Sequence, residues 1–142
     1  MVSHPLNNFD DKICAEFERF LTELEALDPP SEEWIKAQRQ KVVIQPEWSL
    51  EEISAAYEAS IKQMIGNALQ HIVGDHGLQL PDGWRNDFAF NFDIIQRQLV
   101  DLYELGTWPA PGYSERIGIL LRRAKRRDLS DRFETAWLRI VI

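Results

Sequence analysis

Cysteine is almost absent from this chain. The single Cys14 cannot form an internal disulfide, so nothing points to an oxidising compartment. Long apolar runs are missing too. The longest apolar stretch, around Ile117 to Leu121, falls far short of the ~20 residues that span a bilayer. Asp10 and Asp11 interrupt any apolar run near the start, so no secretory signal is expected. Glycine-rich phosphate loops, a GxSxG nucleophile turn, HExxH and the Glu-x-x-His pair of di-iron bundles do not occur. No catalytic residue, metal site or cofactor is therefore expected, and the expectation is a cytoplasmic protein without membrane contact.

Charge is present, and it is divided by position. Up to Tyr113 there are 8 Lys+Arg against 19 Asp+Glu; from Ser114 onward there are 8 against 4. The total is −7. Residues Asp10 to Glu33 hold nine acids against Lys12 and Arg19. Aromatics are plentiful, with five Trp, seven Phe and three Tyr to supply contact area in a core or an interface. At 142 residues the chain has the size of one domain and can bury a core without staples.

Periodicity predicts helices throughout. Phe9, Ile13, Phe17, Phe20, Leu24 and Leu27 form one face of a helix from near Asn8 to near Asp28, stopped by Pro29 and Pro30. Ser31 caps a second helix with Glu32 and Glu33 in its first turn; its end at Val42, Val43 and Ile44 is β-branched. Ser49 with Glu52 forms a capping box. The helix behind it carries Ile53, Tyr57, Ile61, Met64, Ala68 and Ile72 to about Val73, with Gly66 inside it as a site of close packing or a kink. Phe88, Phe90 and Phe92 alternate like a strand, but Phe88, Phe92, Ile95, Leu99 and Leu102 continue at helical steps. Helix is predicted from Asp87 to Leu105, with Gly106 as its stop. A rigid connector over Thr107 to Gly112 leads to a helix capped by Ser114 and a last one capped by Ser130. The fold class expected is all-α: one domain over residues 1–142, a bundle or orthogonal array of about six helices.

Candidate surfaces follow from charge. Arg122, Arg123, Arg126 and Arg127 cover the arc opposite Ile117, Leu120, Leu121 and Ala124, and could bind nucleic acid. A solvated face that balances acids elsewhere explains them as well. His71, Asp75 and His76 resemble a metal cluster, but His76 is five residues from His71 and off the face His71 shares with Asp75, and no cysteine completes a set, so histidines at a helix C-terminus fit better. Cys14 reads as a small buried hydrophobe. Trp48, Trp84, Trp108 and Tyr113 fall in or beside loops, as interface anchors or plugs of a bundle end.

The function expected is binding of another protein. In its most concrete form, the chain is an immunity or antitoxin-type inhibitor of a basic toxin such as a nuclease. Glu16, Glu18, Glu23, Glu25, Glu32 and Glu33 would pair with the partner's Lys and Arg, and Trp48, Trp84 and Trp108 would anchor the contact. The alternative is a nucleic-acid-associated regulator that uses the arginines of the basic segment.

Overall fold

The computed structural model describes residues 8–40, 45–74 and 77–141. The fold is all-α. In chain order, α1 (Asp11–Ala26), α2 (Glu32–Gln40) and α3 (Leu50–Gln70) precede a minimal antiparallel pair, β1 (Val73–Gly74) and β2 (Gly77–Leu78). A 3₁₀ turn (Trp84–Asn86), α4 (Phe88–Leu105), α5 (Pro111–Arg123) and α6 (Arg127–Val141) follow. Among the described residues, no helix is long and apolar enough to cross a membrane.

The chain forms two compact units, each assembled from separate segments. The first comprises Met1–Pro29, Leu80–Gln96 and Ala110–Ile142; the second comprises Pro30–Gln79 and Arg97–Pro109. The first contains α1, the 3₁₀ turn, the start of α4, α5 and α6. The second contains α2, α3, the β pair and the rest of α4.

The first unit holds every phenylalanine of the chain. Phe17 is fully buried, with ring centroids 5.2 Å from Phe88 and Phe92 and 5.7 Å from Phe133. Phe9 sits 4.4 Å from Phe88. Edge-on and tilted aromatic pairs of this kind add to the free energy of simple area burial. Leu21, Leu24, Ile117, Leu120, Leu121, Leu129 and Ile140 complete this core. Among the described residues, Ile35, Ala68, Ile72 and Leu102 are the buried apolar side chains of the second unit.

Helix ends follow local chemistry, with some shifts from the sequence reading. The first helix starts at Asp11, not near Asn8, because the Asp10 carboxylate accepts the Ile13 N–H at 2.8 Å and caps it. Ser31 accepts the Trp34 N–H, and Ser49 accepts the Glu52 N–H while its hydroxyl donates to the Glu52 carboxylate. Both caps are those expected. Val42, Val43 and Ile44, expected to end the second helix, lie outside the described residues.

Gly66 breaks the regular geometry of α3 at φ 76° and ψ 163°. A Cβ there would lie 2.7 Å from Asp101 Oδ2. That same oxygen accepts the Ala68 N–H at 2.8 Å, so the buried Asp101 holds an amide just past the break. The kink and the close packing thus share one cause. Met64 has a side chain outside the described residues, and α3 ends at Gln70 rather than about Val73.

The helix predicted from Asp87 to Leu105 forms over Phe88–Leu105, with Asp87 Oδ1 accepting the Phe90 N–H and Gly106 ending it at φ 70°. The last two helices start earlier than expected. Pro111 occupies the first turn of α5, where its fixed φ suits the helix, and Ser114 donates its hydroxyl to the Pro111 carbonyl instead of capping. Ser130 is buried within α6 and donates to the Gly118 carbonyl. The real turn is at Lys125, φ 60°, where the Lys125 N–H reaches the Arg122 carbonyl and the Arg126 N–H reaches the Leu121 carbonyl. Those two bonds form a Schellman motif, the usual way of satisfying the last carbonyls of a helix.

Candidate functional site

The two charged regions of the sequence meet inside the first unit. Arg132 of α6 makes a two-pronged pair with Glu25 of α1, at 2.6 Å and 3.2 Å. Arg126 donates to Glu18 at 3.3 Å and to both carboxylate oxygens of Asp128. Arg139 donates to the Leu24 and Glu25 carbonyls at 3.0 and 3.2 Å, at the end of α1. The last turn of α1 has no basic residue of its own, so a cation from α6 serves the carbonyls there. Counted over this unit, 14 Asp+Glu stand against 11 Lys+Arg. The lopsided sequence thus folds into a nearly balanced body.

Three of the four arginines proposed for nucleic acid have partners within the chain. Arg122 pairs with Glu134 at 2.8 Å and donates to Ser130. Arg123 donates to Asn86 Oδ1 at 3.0 Å, beside Arg116, which holds the Arg85 carbonyl at 2.9 Å. Arg126 is engaged as above, and Arg127 is exposed at the start of α6. A phosphate would have to compete with these bonds for the first three.

The ionic network shifts proton affinities as its geometry requires. Hydrogen bonding from Arg132 lowers the pKa of Glu25, and hydrogen bonding from Arg126 lowers that of Asp128. Burial raises the Cys14 thiol above its ordinary value, against the pull of Arg126, whose Nη1 donates to Sγ at 3.4 Å. A raised thiol pKa makes Cys14 a poor nucleophile, in keeping with its expected role as a small buried side chain. Burial also raises the Tyr113 phenol.

The six glutamates expected to bind a partner therefore separate. Glu18 and Glu25 are tied to Arg126 and Arg132. Glu16 is half-buried on α1, and Glu23, Glu32 and Glu33 are exposed; none of the four makes an ion pair among the described residues. Glu16 and Glu23 belong to the first unit, Glu32 and Glu33 to the second.

The aromatics separate likewise. Trp84 is half-buried, 5.5 Å from the Tyr113 ring and with the Arg85 guanidinium 5.7 Å from its own centroid. Tyr113 is buried in α5, so Trp84 packs against a core side chain. Trp48 is half-buried and Trp108 exposed, both in the second unit.

Sequence reasoning missed one surface. Leu50, Tyr57, Ile61, Val100 and Trp108 are five of the six large apolar residues exposed among the described residues, and all five belong to the second unit. Leu50 is 84 % exposed, Tyr57 60 % and Ile61 46 %. The periodic face of α3 was legible, but periodicity alone assigns such a face to a core, and here its first half is not covered. Among the described residues, no group of three or more His, Cys, Asp and Glu is placed to hold a metal ion; Asp75 and His76 lie outside them. Comparison with known proteins finds no matching family, no similar characterised protein and no similar solved structure.

Proposed function

We propose that this chain works by binding another protein of basic character, as an intracellular inhibitor rather than as a catalyst. The most specific form of the reading is an immunity or antitoxin-type protein that neutralises a basic toxin, such as a nuclease, in the cytoplasm. The observation that supports it most is what remains after internal pairing. The arginines of α5 and α6 serve Glu18, Glu25, Asp128 and Glu134, while Glu16, Glu23, Glu32 and Glu33 make no ion pair among the described residues. The chain's net charge of −7 speeds encounter with a cationic partner and repels nucleic acid.

The test starts from complexes isolated from cells of the source organism and identified by mass spectrometry. Each candidate partner is then purified and its association with the wild-type chain measured over a salt series. The reading expects a steep loss of association rate with salt, and a further loss when Glu16, Glu23 and Glu32 are all changed to Lys. A partner whose affinity ignores both salt and the triple reversal removes the proposed mechanism.

A further inference from the structure

Residues 45–61 contain no buried side chain, although 12 of them are helical residues of α3. A helix of this length is marginal on its own and ordinarily gains its stability by packing an apolar face. At 100° per residue, Leu50, Ile53, Tyr57 and Ile61 fall within an arc of about 80°, a continuous stripe along three turns. Ile53 is half-buried at one edge, and the other three are exposed. Glu51 and Glu58, seven residues apart, line one flank of the stripe, and Glu47 and Glu52 add to the charge. From Gln45 to Lys62 there are four acids and a single base, Lys62, a net of −3.

We infer that the first half of α3 is a docking face for one amphipathic helix of a partner, with an apolar stripe of its own and Lys or Arg along its flanks. This names the anchor of the protein-binding function proposed above and rests on it. The flanking carboxylates decide between occupants. An antiparallel two-fold pairing with a second copy of the chain is a poor fit, because it sets like flank against like flank. Glu51 and Glu58 would then face Glu51 and Glu58 of the other copy, which is repulsive. A basic helix meets the same flank with opposite charge, and its apolar residues meet Leu50, Tyr57 and Ile61 at matching steps. The stripe is about 17 Å long at 1.5 Å per residue, so it engages roughly three turns of the incoming helix. Tyr57, large, exposed and central, is the residue fitted to act as its hot spot.

The test uses the full chain and three synthetic peptides of about 14 residues, long enough for the stripe. One places Leu at helical spacing with Lys elsewhere, the second replaces each Lys by Glu, and the third scrambles the Leu/Lys order so that no stripe forms. Titrations followed by NMR shifts or fluorescence anisotropy should show binding of the first peptide alone, with perturbations at residues 48–61. Changing Leu50 and Tyr57 to Ser should weaken that binding by about tenfold or more, the scale of a lost hot spot. Both positions are exposed, and an unchanged circular dichroism spectrum confirms the fold. Reversing Glu51 and Glu58 to Lys should switch preference from the Lys peptide to the Glu peptide.

Equal binding of the scrambled peptide, or indifference to the Leu50/Tyr57 change, overturns the inference. So does a concentration-dependent dimer in sedimentation that Tyr57→Ser abolishes, since the face would then belong to a second copy. The broader reading fails separately. If the Glu16/Glu23/Glu32 reversal weakens a natural partner and the α3 changes do not, only the anchor has been misplaced.

Discussion

Lys125 shows how much one residue determines. It sits in the left-handed region at φ 60°, in the Schellman turn that ends α5, where glycine carries no penalty and a Cβ costs about 1 kcal/mol. Lys125→Gly is therefore expected to raise stability by roughly 0.5–1 kcal/mol, read as a higher urea midpoint with an unchanged slope. Gly66 is the opposite case. Gly66→Ala imposes a Cβ on a positive φ and drives it against Asp101 Oδ2, so a loss of about 1–3 kcal/mol is expected in the same measurement. The Glu25–Arg132 pair is two-pronged but more than a third exposed on both sides, so its coupling in a double-mutant cycle should be only about 0.2–1 kcal/mol. Because Arg132 lowers the Glu25 pKa in the folded state, that contribution is complete at neutral pH and fades as the pH falls below about 4. Glu25→Gln should flatten this part of the pH–stability curve, and a mutant curve that stays parallel to wild type below that pH contradicts the pairing.

At the scale of elements, the two units differ in how well their helices are covered. The aromatic cluster around Phe17 ties α1, α4 and α6 together, and Phe17→Ala should cost about 3–5 kcal/mol by transfer and cavity terms. The first half of α3 has nothing comparable. Hydrogen exchange should therefore be slow in α1 and across residues 117–121, and fastest among helical amides in residues 50–61. Equal protection of those segments contradicts the exposed α3 face. Element existence was legible in the sequence because apolar steps of three and four are printed in it, and capping at Ser31 and Ser49 depends on neighbours a few residues away. The starts of α1, α5 and α6 were not. Asp10 caps α1 after the expected start near Asn8, and Pro111 and the Lys125 turn begin α5 and α6 ahead of the expected caps Ser114 and Ser130.

At the scale of the molecule, charge is redistributed by folding. The sequence puts a net −11 before Ser114 and +4 after it, yet the basic segment folds beside the acidic α1 in one unit. Two of the nine acids of residues 10–33, Glu18 and Glu25, are answered from within the chain by Arg126 and Arg132, while Arg139 holds the Leu24 and Glu25 carbonyls. Of the partner-binding residues expected, Glu18 and Glu25 are thereby held in internal pairs, and the more exposed apolar character lies in the second unit.

Composition and periodicity alone were enough for the helical class, for most helices and for the burial of Cys14, because a period of 3.6 and a side chain's affinity for water are properties of the chain itself. Which carboxylates find a cation and which apolar stripe stays in solvent depended on packing between distant parts of the chain, with Glu18 and Glu25 meeting arginines more than a hundred positions away. Such long-range pairings are decided by how helices pack, and no local spacing in the sequence encodes them.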